Sequence, residues 1–558
     1  MVSRLIAPIP ASQRSRRLAG PGAVGLLVFA IALAGLAFAP RHDGLALAGR
    51  TAIRDVLRDP AAQQTLRGLG WTRATASRVD DRLVRVDLFA GSRVVAEFAC
   101  DPAGRLVAQE SFQHRPVPYG NWIAYRPAVL IALAGIFLLM VGVTPLWHVR
   151  NLEAAASLSL IAPVVLLQER YIAACVLTAI PGLGYLMARA LRIGWGGAPA
   201  ESPARSLFTL ITSRLRPREQ ARVLTWIALA LGAVFLMVAI SSTEPVDVVY
   251  AVMEGATKLL HGVLPYGHLP GDVMHGDTYP ILSYVAYVPL AIAGPVRSTW
   301  DSVDIALGFT ALAALASSGL VGALARVRVA AGTPGGMSGR RAAVAWLSFP
   351  PLLIASSSGT SDVLLAVMLL LALLLLAKPR ASIAVLALAG WFKLAPFALL
   401  PIWLAPLRGR RLRAALITVA AISVFALLPV VLLGGAGGIQ AMLTGISYQL
   451  TRASPQSVWS ALHLNALQPV GEAAMLGLLG SIAVRIRHRP EIAADPARMA
   501  ALAAAVLIGI QLAGSYWSLL YSIWVIPLFV VSRSMQAEAP ERVAAPIWPA
   551  AAQPSVAG

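Results

Sequence analysis

Val223-Leu-Thr-Trp-Ile-Ala-Leu-Ala-Leu-Gly-Ala-Val-Phe-Leu-Met-Val-Ala-Ile240 carries no charged side chain, and Arg222 stands directly before it. A helix rises about 1.5 Å per residue, so about 20 apolar residues in a row cross the hydrocarbon core of a bilayer. A surface helix of a soluble protein would show a charged face over this length, and this segment shows none. Comparable runs recur along almost all of the 558 residues, which are 58% hydrophobic and only 13% charged. Ordinary soluble domains carry about 25% charged residues. The expected class is therefore an all-α polytopic membrane protein.

Outward from this segment, the charges orient the chain. The net charge of +20 comes from arginines in short clusters between apolar runs, and Lys258, Lys378 and Lys393 are the only lysines. Clusters of that kind mark cytoplasmic loops, so topology explains the charge and nucleic acid is not needed as a partner. The preference for Arg, with abundant Ala, Gly and Pro, suggests a high-GC bacterial genome and a plasma-membrane location. Cys100 and Cys175 fall in different parts of the chain and make no disulfide framework.

About fourteen spans are expected, with both termini inside. A cytoplasmic tail and a first helix fill residues 1–40. Ala37-Phe38-Ala39 resembles a signal-peptide cleavage site, but Pro40 behind it argues for a retained helix. Residues 41–122 are charged and lack a spanning run. Helix over Thr51–Leu69 and strands over Arg82–Leu88, Ser92–Phe98 and Arg105–Ser111 predict a small extracytoplasmic α+β domain, weakly similar to PepSY-type modules. Accessory helices and a basic cytoplasmic loop occupy 123–221. A core follows over 222–533, then a cytoplasmic tail over 534–558. Within the core, Ile281–Ala293 is too short to span and reads as an interfacial helix. Residues 342–356 read as one helix, 382–406 as a hairpin broken near Lys393-Leu-Ala-Pro396, and 434–466 as a second outer loop.

No Asp or Glu occurs between Val363 and Gly471, whereas Glu244, Asp247, Glu254, Asp272 and Asp277 crowd the loop behind Ile240. Asp362 emerges on the same predicted face. Ionisable groups beside a bilayer are costly and tend to carry function. Carboxylates there can act as general bases, and Lys258, His261, His268, His275, Arg452 and Lys393 could meet an anionic group. The histidines lack a compact ligand spacing, so no metal residue is assigned, although the carboxylates leave a divalent ion open.

Asp247-Val-Val-Tyr250, Gly255-Ala-Thr-Lys-Leu-Leu-His-Gly262, Leu264-Pro-Tyr266 and Gly276-Asp-Thr-Tyr-Pro280 follow one another in this loop, with Gly359-Thr-Ser-Asp362, Phe392-Lys-Leu-Ala-Pro396 and Ser457-Val-Trp459 later. Over 222–533 this pattern resembles the membrane glycosyltransferases of the C-type fold. It is most similar to the bacterial branch that uses polyprenyl-phosphate mannose, glycosyltransferase family 87. Ile281 stands where many relatives carry a second Pro. The resemblance implies a hexosyltransferase acting at the outer face on a hydroxyl of a cell-envelope glycolipid or glycan. It also implies Asp247 as the base, Asp277 and Asp362 in the site, and Arg452 or Lys393 on the donor phosphate. His275, Tyr279, Lys258, His268 and Trp459 complete the expected substrate-binding set.

Each acid has a plainer reading. Asp247, Asp362, Asp301 and Asp304 could cap helices, Asp277 could fix a turn, and Glu244 and Glu254 could sit on a solvated face. Tyr516, Trp517 and Trp524 read as an interfacial aromatic belt. A secondary transporter or lipid flippase would need midplane charges, for which only Lys393 qualifies, together with an internal repeat that is missing. A non-catalytic membrane sensor would leave the acidic loop without a purpose.

Overall fold

The computed structural model describes residues 45–78, 84–90, 93–101, 103–111, 119–168, 171–196, 204–242, 245–269, 276–296, 303–330, 337–451, 456–516 and 518–535. The predicted first helix, the N-terminal tail, the C-terminal tail from residue 536, Glu244, Asp272, His275, Asp301, Arg452 and Trp517 lie outside the described residues.

Two helices, Leu45–Arg58 and Pro60–Leu66, precede a four-stranded antiparallel meander: β1 Arg73–Arg78, β2 Val84–Ala90, β3 Arg93–Cys100 and β4 Leu106–Ser111. Asp59 separates the helices and caps the second, accepting the Ala61 and Ala62 N–H groups at 2.8 and 3.0 Å. Val56, Val86, Leu88, Phe98 and Cys100 are buried in a core of their own. On the sheet, Arg85 bridges Asp87 and Glu97 at 2.8 and 2.9 Å. The strand β1, Arg-Ala-Thr-Ala-Ser-Arg, was not expected. Its small residues alternate correctly but lack the bulk that usually marks a strand.

Among the described residues seven helices are long and apolar enough to cross a membrane, and six shorter apolar helices accompany them. Pro496–Ala513 is the most enclosed of the seven. Gly409–Gln449 and Asn465–His488 are the least enclosed and bare apolar side chains such as Val424 and Leu432 outward, as lipid-facing helices do. Helices cross closely at small residues. A Cβ on Gly322 would lie 2.8 Å from the Gly339 carbonyl oxygen, so the Asp304–Ala330 and Gly339–Leu347 helices meet backbone to backbone.

Several expected elements take another form. The accessory helix expected over about 127–147 stops at Val141, and residues 143–144 pair with 205–206 instead. The 342–356 helix is two helices, Gly339–Leu347 and Pro350–Ser357, since Pro350 and Pro351 interrupt the hydrogen-bond ladder. Ile281–Ala293 is also two helices, Ile281–Val285 and Val288–Ala293. Ile281, Ser283 and Tyr284 are fully enclosed, so its first half is packed into protein and does not lie on a surface.

The largest correction concerns the second outer loop. The helix from Gly409 runs to Thr451, and residues 434–451 belong to it. The helix changes direction at one residue, Gly435 (φ 54°, ψ −142°). Its neighbours Gly434 and Gly438 admit Leu264, which would lie 2.4 and 2.7 Å from a Cβ there.

Candidate active site

Four helix ends meet at one end of the bundle. Asp247–Leu260 begins at Asp247, and the Val246 N–H before it donates to the Ser358 carbonyl at 2.8 Å. Ser358 closes the Pro350–Ser357 helix, and Gly359 (φ +75°) turns the chain sharply beneath Val249, where a Cβ would come within 3.2 Å. Asp362 then opens the next helix, Asp362–Leu374. The segment after β4 reaches the same end: Asn121 Nδ2 donates to the carbonyls of Val238 and Ser241 at 3.1 and 3.0 Å, and the Asn121 N–H donates to Ser357 Oγ at 3.3 Å.

Asp362 is buried, 2% exposed, and does not cap its helix. Its Oδ1 takes Lys393 Nζ at 2.5 Å and Trp524 Nε1 at 2.9 Å, while Oδ2 accepts the Thr360 hydroxyl. Lys393, 8% exposed, stands where the Pro379–Phe392 helix ends and the backbone extends before Pro396. That break frees its ammonium from the helix face and aims it at three aromatic rings: Tyr521 at 5.5 Å, Trp524 at 5.6 Å and Tyr279 at 6.0 Å. Tyr521 and Trp524 stack with centroids 4.1 Å apart. Trp524 is therefore an enclosed partner of Asp362, not part of an interfacial belt. The i, i+3 spacing of Tyr521 and Trp524 at a helix start was the available signal.

Tyr279 links this group to the Asp277 turn. Gly276–Thr278 forms one 3-10 turn, in which Asp277 Oδ2 accepts the Gly267 N–H at 3.1 Å. Gln449 Nε2 reaches Thr278 Oγ1 at 2.5 Å, and a Cβ on Gly445 would lie 2.6 Å from the Asp277 carbonyl oxygen. The extended Gly409 helix thus clamps the turn, a contact that a loop at 434–466 could not supply. Tyr266 donates to the Tyr279 carbonyl at 3.0 Å; burial first, then the Asp277 charge, pushes its phenol well above the usual range.

Asp247 differs from Asp362 in being exposed; its Oδ1 accepts the neighbouring Val248 N–H at 2.8 Å. Other expected residues stand apart. Lys258 pairs with Glu254 at 3.5 Å, and the two line a cavity of about 440 Å³ with Thr257 and His261 near the far end of the Asp247 helix. Glu254 is 4% exposed, which overturns the solvated-face reading. His268 Nδ1 lies 2.9 Å from the Tyr266 carbonyl oxygen. Trp459 donates to the Ala513 carbonyl at 2.9 Å and packs over Gly471, so it acts as a strut between helices. Among the described residues, no group of three or more His, Cys, Asp or Glu side chains is placed to hold a metal.

The pattern of glycosyltransferase family 87 matches residues 278–541. This part of the chain is similar to that family. Together with the apolar helices, the match makes the protein a membrane glycosyltransferase. Tyr279, Asp362, Lys393, Tyr521 and Trp524 fall inside the matched stretch, whereas Asp247, Lys258, His268 and Asp277 precede it. No curated protein and no solved structure matches the chain.

Proposed function

We propose that the enzyme transfers a hexose, mannose or a similar sugar, from a polyprenyl-phosphate donor to a hydroxyl of a cell-envelope glycolipid or glycan, at the outer face of a bacterial plasma membrane. The observation that carries this reading is the Asp362–Lys393 ion pair beneath the rings of Tyr279, Tyr521 and Trp524, four residues along the chain from Ser358, whose carbonyl accepts the Val246 N–H at the start of the Asp247 helix. Aromatic faces suit a sugar ring, and an ammonium held in a low-dielectric site meets the negative charge that grows on a departing phosphate.

Asp247 is the base: exposed, it takes the proton of the acceptor hydroxyl as that oxygen attacks the anomeric carbon and the bond from that carbon to the phosphate oxygen breaks. Asp362 is already engaged by three donors and acts as a positioning residue, holding Lys393 in place. Asp277 orders the turn that presents Tyr279, and Arg452, ahead of Ser457, supplies a second cation. No metal is required by these roles.

The test supplies radiolabelled polyprenyl-phosphate sugars to vesicles holding wild type, Asp247→Asn or Lys393→Met. Transfer by wild type and loss in both variants is the expected result. Equal transfer by wild type and Asp247→Asn removes the base assignment. Absence of transfer from every polyprenyl-phosphate donor removes the donor class.

A further inference from the structure

One residue from outside the family-matched stretch reaches the site. Asn121, ten positions beyond the last residue of β4, is buried, and every polar atom of its side chain is engaged. Its Nδ2 donates to Ser241 Oγ at 2.9 Å as well as to the Val238 and Ser241 carbonyls, and its Oδ1 accepts the Ile123 N–H at 2.9 Å. The last carbonyls of a helix have no partner within it, so this amide closes the Pro217–Ile240 helix from outside. An unpaired carbonyl at membrane depth is costly, and an amide brings two N–H donors and an acceptor together in one side chain.

The backbone around Asn121 is bonded to the other half of the site. Its N–H donates to Ser357 Oγ, and Gly120 (φ +89°) lies against the same turn. A Cβ on Gly120 would come within 2.5 Å of Ser357 Oγ and 2.9 Å of the Ser358 nitrogen, so only glycine permits this approach. Ser358 in turn accepts the Val246 N–H through its carbonyl. Asp247 follows Val246 directly and stands six positions beyond Ser241, while Asp362 stands four beyond Ser358. Asn121 therefore binds two segments at once, the one that presents Asp247 and the one that leads to Asp362.

We propose that Asn121 is a positioning residue for sugar transfer, setting the distance at which Asp247 stands from the Asp362–Lys393 pair. This role depends on Asp247 being the base. A base must lie about 2.6–3.2 Å from the oxygen whose proton it takes, and a displacement of about 1 Å can cost about 100-fold in rate. Asn121 touches no substrate and acts through Asp247.

The test measures transfer from radiolabelled polyprenyl-phosphate mannose in vesicles, together with hydrogen–deuterium exchange of the full chain in detergent. Asn121→Ala should lower kcat about 10–100-fold and leave the donor KM near wild type, because Asp362, Lys393 and Trp524 keep one another as partners. Ser357→Ala, a milder change that removes one acceptor, should act in the same direction. Asn151→Ala is the control: Asn151 makes a similar set of bonds with Val143 and Leu146, beyond the other end of the Pro127–Val141 helix, and its loss should spare kcat. In the Asp247→Asn background, Asn121→Ala should slow transfer no further, since the base it places is already gone. Exchange at 245–248 and 357–362 is read without any donor and should rise in Asn121→Ala; unchanged exchange would show that Asn121 does not hold these segments. Wild-type transfer by Asp247→Asn alone would remove the base, and this role with it, before any change at Asn121. An unchanged kcat in Asn121→Ala, an equal loss in Asn151→Ala, or multiplied losses in the double variant would overturn the positioning role while leaving the base in place.

Discussion

Replacing Lys393 with Met leaves the Asp362 carboxylate buried with only Thr360 and Trp524 as partners. At 2.5 Å the pair attracts with about 7 kcal/mol at an effective dielectric of about 20. Desolvation of both charges consumes much of this, so the pair adds little net stability, yet stranding one partner costs about 3–5 kcal/mol. Lys393→Met should therefore lower the unfolding temperature by several degrees and abolish transfer. Asp362→Asn should be comparably destabilised, with Lys393 now the stranded charge. The double variant Asp362→Asn/Lys393→Met removes both charges and should recover most of the stability, because no ion remains unpaired. Its activity should stay lost, since the cation that meets the phosphate is gone. Thermal unfolding in detergent and sugar transfer in vesicles, measured on all four proteins, complete the cycle. A double variant as active as wild type would refute the reasoning, reducing the pair to a packing device. A double variant less stable than either single one would refute the stranded-charge argument.

Other expectations separate the site from its scaffold. Asp247→Asn should slow transfer by about 10²–10⁴-fold with thermal stability nearly unchanged, because the side chain is exposed and makes a local hydrogen bond. Gly445→Val should push against the Asp277 carbonyl and lower activity through the Tyr279 turn; unchanged kinetics would remove the clamp. Gly435→Ala should cost about 1–3 kcal/mol in thermal unfolding, all of it backbone strain, since a Cβ there meets nothing within 4 Å. Burial pushes the Cys100 thiol up to about 11, so maleimide at pH 8 should leave Cys100 unlabelled until the sheet is unfolded.

Much of the fold was legible in the sequence because a bilayer imposes a coarse rule: long uncharged runs become helices, whatever their neighbours. Val223–Ile240 lies within the helix Pro217–Ile240. The break at Lys393 was visible from Pro396, which cannot continue a helix. The loop acids stood out because so few acids occur elsewhere. Helix continuity across Gly435 was not legible, since a glycine cluster reads as a break whether one residue or twenty absorb the change of direction.

The sequence alone determined that this is a polytopic membrane protein with Asp247, Asp277, Asp362 and Lys393 as its conspicuous ionisable groups. Only the tertiary structure decided what each touches. Asp362 and Lys393 are 31 positions apart, and Trp524 is a further 131 along; nothing in local spacing joins them. The same holds for Glu153, whose partners Arg189 and Arg533 come from two distant helices. Apolar runs report on the solvent around each helix, a local property. The pairing of buried charges depends on which helix ends converge, and that is fixed by packing across the whole bundle.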